Sequence, residues 1–313
     1  MVSFLYKNEG DKLVEFFLIR EREIKTASNG SEYANFTLER NMELIPARLW
    51  DITDEQKQLF QRKAIVKLEG IVTLYRQQKH LNIQRIRLST EEDGVNITEL
   101  ISRKGVSRED LWHELRMSME DIQSLTLQTL IKRLFSQKSI RDRMTTLPAA
   151  KMNHHYYYAG LLEHTVHITQ SAYQLFPVYT KVNKDIVLAV CILHDIGKVK
   201  ALSDHLSPEY TSNGELIGHL VLGIEMVNQS ASEAGISIEH EEIVALKHCM
   251  LSQYGEHGPV MPKTAEAVFF YTIKKMNAQL NALDVISEQT NEAWTYSPMF
   301  KRKMYIQEND KGV

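Results

Sequence analysis

Histidine is the unevenly distributed residue of this chain: of twelve, ten fall between His154 and His257. Within that stretch, His194 and Asp195 stand side by side at the end of eight consecutive apolar residues, 186–193. Such a run reads as a helix buried on all sides, which delivers the polar pair into the interior. An ionised carboxylate there is costly unless something positive compensates it. A divalent cation is one such partner, because neutral imidazole and carboxylate are both good ligands for Mn, Fe or Zn. A plain His–Asp hydrogen bond is the other reading of the dipeptide.

Helical phase selects which other histidines can join. The stripe Leu161, His164, Ile168, Ala172, Leu175 is apolar except for His164, whereas His167 shares a face with Glu163, Ser171 and Gln174 and should be solvated. His219 lies on a stripe with Leu216, Gly223 and Met226, and His248 on one with Val244, Ala245 and Leu251. Three further helices therefore each present one histidine to a core-facing stripe. Lys198, one turn beyond His194, is placed either to meet a phosphate oxygen or to face water at a helix end. His154 and His155, in a polar and aromatic stretch, are candidate contacts to the ligand side chains or to substrate.

The elements that must position these groups fall into two kinds. Residues 13–88 hold five β-rich runs, with Asn29-Gly30 as a hairpin turn between the first two. Five strands in this length predict a small closed barrel of the oligonucleotide-binding (OB) type, with residues 51–62 as the helix between its third and fourth strands. Beyond the acidic turn at 90–94 the periodicity is helical, starting with Ser107 and Asp110 as a capping pair. The expected fold class is α+β: an OB-like barrel over 1–92, a helical connector over 93–148, an all-α domain over 149–290 and a polar tail over 291–313.

The order His164, His194-Asp195, His219, His248 resembles the HD-domain metal-dependent phosphohydrolases. The likeness extends through AAKMNHHYYYAGLLEHT, LHDIGK, GHLVLGIEM, LKHCMLSQYG and PVMPKTAEA. With ASNG in the first turn of the barrel and LWD at its third strand, the whole chain resembles the bacterial YhaM-type 3′–5′ exoribonucleases. The resemblance implies a divalent ion, usually manganese with Fe, Zn, Co or Mg as alternatives, held by His164, His194, Asp195, His219 and His248. It implies hydrolysis of single-stranded RNA, with single-stranded DNA as a second substrate, Asp195 and Lys198 serving catalysis, and a homo-oligomer.

Two departures stand against the full pattern. Where the family reads Ser-His-His-Gly, this chain reads Ser252-Gln253-Tyr254-Gly255. Lys274 stands where the family's last helix supplies an aspartate ligand, and Asp284 lies ten helical residues, about 15 Å, further along the axis. One firmly held ion is therefore expected, two being the alternative. Two other functions fit the same residues: a single-strand binder with a weakened centre, and a hydrolase of small nucleotides.

Between Lys57 and Leu88 eight Lys or Arg face a lone acid, Glu69. Lys67, Tyr75, Arg76, Lys79, Arg85 and Arg87, with Phe16 and Tyr33 from the first hairpin, are the expected strand-binding residues, mixing cations for phosphates with rings for bases. The 313 residues carry a net charge of only −3, so binding must come from such a local patch. No apolar run approaches the ~18 residues of a membrane helix. The first residues carry acids where a signal peptide would be basic, and two cysteines in apolar surroundings, Cys191 and Cys249, point to a reducing, cytoplasmic setting.

Overall fold

The computed structural model describes residues 4, 7–41, 43–75, 78–103, 105–150, 157–206, 208–290, 292–297 and 299–306. The chain divides into two compact units, one formed by Met1–Gly105 with Gln289–Asn291, the other by Val106–Glu288 with Glu292–Val313.

In the first unit, β1 (Lys12–Thr26), β2 (Glu32–Arg40), β3 (Glu43–Leu49), β4 (Ile65–Tyr75) and β5 (Gln78–Leu88) close into a barrel. The strand order is β1-β2-β3-β5-β4, with β3 parallel to β5 and the other pairs antiparallel. The short helix α1 (Asp54–Leu59) lies between β3 and β4, giving the OB-type arrangement. Strict alternation drives closure: Ala34, Phe36 and Leu38, then Ile45, Ala47 and Leu49, then Val66, Leu68 and Val72 all point inward. Ile52 and Phe60, flanking α1, join the same core. The hairpin between β1 and β2 turns through Gly30 at φ +85, where a side chain would be strained. The helix α2 (Ile97–Ile101) also packs on β1 and β2, so this unit runs past the acidic turn.

The second unit is helical: α3 (Arg108–Glu120), α4 (Leu125–Phe135), α5 (Lys138–Met144), α6 (Gly160–Leu175), α7 (Lys184–Leu193), α8 (Lys198–Ala201), α9 (Ser212–Leu216), α10 (Gly218–Glu233), α11 (Glu241–Leu251) and α12 (Ala265–Gln289). Ser107 caps α3 by accepting from the Asp110 amide. The stretch expected as a connector is structural: Leu115, Leu127, Leu130, Ile131 and Met144 share one core with α6, α7 and α11. The reason is that α3 and α4 are amphipathic, and burying those stripes requires the later helices. The 291–313 tail contains a hairpin, β6 (Trp294–Ser297) and β7 (Arg302–Tyr305). No helix among the described residues is long and apolar enough to cross a membrane.

Candidate metal centre and nucleic-acid interface

All eight residues 186–193 of α7 are buried, and the helix ends by placing His194 and Asp195 in the interior. His164, from α6, is also buried. One ligand atom from each of His164, His194 and Asp195 lies within 4.8 Å of the others, the sole such His/Cys/Asp/Glu group among the described residues. Both imidazoles are oriented from behind. His194 Nδ1 donates to the Cys191 carbonyl at 2.9 Å, and His164 Nδ1 to Asn277 Oδ1 at 2.8 Å. Those bonds fix the proton on Nδ1 and leave each Nε2 with a lone pair facing the centre. His194 Nε2 and Asp195 Oδ1 are buried without a hydrogen-bond partner among the described residues. Orphaned donor atoms of this kind, in a mixed imidazole and carboxylate set, fit a divalent cation.

Close packing brings a third helix to the pair. A Cβ on Gly197 would meet the His219 carbonyl at 1.9 Å, so glycine in the LHDIGK motif lets α10 approach the turn after Asp195. His219 Nε2 thereby sits 3.5 Å from Asp195 Oδ1 and 3.1 Å from the Tyr254 hydroxyl. Burial lowers the His219 pKa to about 4, so the ring is neutral near pH 7. Lys198 does not face water: its ammonium ion-pairs with Asp195 Oδ2 at 2.6 Å and donates to the Ala149 carbonyl. Burial alone would raise the Asp195 pKa, but Lys198, with His194 and Lys274 nearby, holds the carboxyl well below the usual range.

The departures from the family pattern are built into the same place. Lys274 is buried on α12 with Nζ 4.0 Å from the centre of the Tyr254 ring, a cation–π contact. Burial lowers its pKa to about 8. Gln253 donates to the His194 carbonyl at 3.1 Å. Asp284 is exposed. A cavity of about 570 Å³ opens over the group, lined by Asp195, Lys198, His219, Tyr254, Lys274 and Lys275 among others.

Other expectations are corrected. His248 does not join the cluster of His164, His194 and Asp195: its Nε2 accepts the Lys263 amide at 3.0 Å. The buried face of α11 is Ile243, Leu246, Cys249 and Met250, and Val244 of the expected stripe is 48% exposed. Leu216 is also exposed, because α10 starts only at Gly218. Glu163 is buried, so the face it shares with the half-exposed His167 is not fully solvated. His154 and His155 lie outside the described residues. Asn277 and Tyr254 are site residues that the sequence reading missed. Asn277 follows Lys274 by three positions, the spacing that keeps two side chains on one helix face.

In the barrel unit the expected contacts divide into two groups. Lys67 lies over the Phe16 ring at 5.1 Å, and register sets Lys67 between Phe16 and Arg87. Arg87 makes two 2.7 Å bonds to Asp93, so its guanidinium is engaged, while Arg85 is largely exposed beside Glu69. The second group surrounds Arg48, whose guanidinium carbon is 4.8, 5.0 and 5.9 Å from the ring centres of Tyr33, Trp50 and Tyr75. Tyr33 and Trp50 are 4.9 Å apart, and Tyr75 meets His80 edge-on at 6.0 Å. Eight residues of β4 separate Lys67 from Tyr75, roughly 25 Å of strand. Arg48 and Trp50 were not foreseen; Arg76 lies outside the described residues, and Lys79 is half-buried next to His80.

A family model described as the HD domain matches residues 161–278, the span from α6 to α12 that carries the clustered His164, His194 and Asp195. Fold and site together define the class: an HD-domain protein with an N-terminal five-stranded barrel. Curated relatives match over nearly the full length. A protein of Listeria welshimeri is 34% identical over 286 residues, 90% of each chain. One of Geobacillus sp. is 31% identical over 303 residues, 96% of this chain and 91% of its own. One of Oceanobacillus iheyensis is 31% identical over 281 residues, 89% and 87% of the two chains. All three are named 3′–5′ exoribonuclease YhaM, and the chain belongs to that family.

Proposed function

We propose that this protein is a metal-dependent 3′–5′ exoribonuclease that holds one divalent ion through His164, His194 and Asp195. The observation that carries the reading is the convergence of those three buried side chains beside an open cavity, with His194 Nε2 and Asp195 Oδ1 left without a hydrogen bond among the described residues. When bound, the ion supplies Lewis acidity: it lowers the pKa of a coordinated water and offsets charge on the phosphoryl oxygens. Manganese suits the imidazole and carboxylate set, and the buried thiols of Cys191 and Cys249 suit a reducing cytoplasm.

The chain's own groups do the rest. Asp195 stays ionised because Lys198 is bonded to it, so it remains an anionic ligand across the neutral range. Lys198 acts through Asp195, fixing the carboxylate, more than by reaching a phosphate itself. Neutral His219, hydrogen-bonded to Tyr254, orients a water or a phosphate oxygen at the cavity wall. Lys274 and Lys275 complement the charge of a phosphodiester, and the cavity has the size of a ligand site for a terminal nucleotide. Lys274, over the Tyr254 ring, also adds a buried positive charge near Asp195, which would disfavour a second divalent ion. On the barrel, the rings around Arg48 stack bases of single-stranded RNA, and of single-stranded DNA by the same sequence-tolerant chemistry.

Purified protein with Mn²⁺ is tested on oligoribonucleotides labelled at one end or the other. Loss from the 3′ end, leaving a shortening 5′-labelled ladder, is the expected result. Internal cuts, or loss from the 5′ end, would overturn the reading. A second reading, binding without cleavage, is favoured by the buried ammonium of Lys274 beside the centre. It predicts tight binding and an intact oligonucleotide in the same assay.

A further inference from the structure

The hairpin of β6 and β7 pairs Trp294 with Tyr305, Thr295 with Met304, Tyr296 with Lys303 and Ser297 with Arg302. Directly opposed residues of an antiparallel pair share a face, and the faces alternate. Trp294, Tyr296, Lys303 and Tyr305 therefore line one side. The three rings are 57%, 58% and 56% exposed, while Ser297 and Ile306 are buried. Trp294 and Tyr305 touch at 5.1 Å between centres. Three large rings left in water on so short a hairpin do not serve the core.

Glu292 stands just before the hairpin, and the charges within it are positive. Residues 293–306 contain Lys301, Arg302 and Lys303 and no Asp or Glu. The hairpin is also tied to the candidate centre: Met299, between the strands, lines the cavity that holds Asp195, Lys198, His219 and Lys274. Tyr296 precedes Met299 by three residues, so no more than about 10 Å of chain separates them.

We propose that the outer face of the β6–β7 hairpin is a nucleic-acid site within the helical unit. It stacks bases of a single strand a few nucleotides before the end that enters the cavity. Exposed rings beside cations form the general platform for single strands, whereas the buried centre of a protein–protein contact is depleted in lysine. Lys303 on the ring face, with Lys301 in the adjoining turn, favours the nucleic acid over a second copy of the chain. The inference rests on the exonuclease reading and adds a second grip to it, distinct from the barrel.

Two experiments on the full chain test it, with the metal chelated so that the probe stays intact. In the first, a fluorescent oligoribouridylate is titrated with wild type, with a variant carrying Trp294→Ala, Tyr296→Ala and Tyr305→Ala, and with one carrying phenylalanine at the same positions. The alanine variant should raise Kd about tenfold or more, and the phenylalanine variant should recover most of the affinity, since stacking needs only the ring. In the second, wild type is photocrosslinked to an oligonucleotide with one 4-thiouridine near its 3′ end, and mass spectrometry should find the adduct on the hairpin. An alanine variant that binds like wild type overturns the site. So does an adduct found only elsewhere, or a change in sedimenting mass with RNA affinity intact, which would make the face a contact between copies. A wild type that neither binds nor shortens RNA would instead overturn the exonuclease reading itself.

Discussion

The two units place their candidate functional residues differently, although the barrel too buries a carboxylate, Glu39, against Arg20. On the barrel, cations and rings sit at the surface and pair with one another, as Arg48 does with Tyr33, Trp50 and Tyr75, and Arg87 does with Asp93. In the helical unit, polar groups are buried, and His194 Nε2 and Asp195 Oδ1 are left without a hydrogen bond among the described residues. An exposed pair is screened by water and individually weak, whereas a buried polar atom without a partner is a standing deficit that a ligand can remove. The barrel is thus suited to many small, interchangeable contacts, and the helical centre to a few indispensable ones. Substitutions should follow that division.

The largest effect belongs to the centre. Asp195→Asn removes the anionic ligand and should reduce hydrolysis on the order of 10³-fold, with unchanged far-UV circular dichroism. His164→Ala should act alike. Comparable activity in either variant would erase the distinction between the units.

Next comes Lys274. Its pKa of about 8 lies below the ordinary 10.5, so the unfolded chain binds the proton more tightly than the folded one. The destabilisation is complete below pH 8 and is relieved as pH rises from about 8 towards 10.5. In chelator, Lys274→Met should therefore stabilise the protein by about 3 kcal/mol at pH 7, and by less at pH 10. Urea melts at the two pH values check this; a stabilisation that grows with pH would show that the ammonium is not the cause.

A smaller effect is expected on the barrel. Arg48→Ala should weaken binding of a single-stranded oligonucleotide by about tenfold and flatten the salt dependence by about one counterion. Dinucleotide cleavage should change much less. Smallest of all, Arg87→Gln and His167→Ala should each alter RNA affinity or turnover by less than about twofold, since Arg87 is engaged by Asp93 and His167 lies off the centre.

What could be read from the sequence follows the same division. His164, His194 and Asp195 were legible because a polar residue on an otherwise apolar stripe must be either compensated or expelled. The barrel was legible because its strands alternate cleanly. His248 was misread because α11 is apolar on both flanks: Ile243, Leu246, Cys249 and Met250 compete with Val244, Ala245 and Leu251 for the inside, and helical phase alone cannot choose. Lys198 reads equally well as a helix-end lysine until the fold brings the Ala149 carbonyl to it. Arg48 and Trp50 become a site only through the register of β3 against β2 and β5, which no local pattern fixes. Surface function depends on long-range pairing, and buried chemistry shows in the local pattern.

The central claim is that the buried donor set holds a single divalent ion. Metal analysis of the full chain after equilibration with Mn²⁺ and removal of loosely bound ion tests it directly. One equivalent per chain, lost in Asp195→Asn, is the predicted result. Two tightly held equivalents in the unmodified protein, or one equivalent retained by Asp195→Asn, would contradict it.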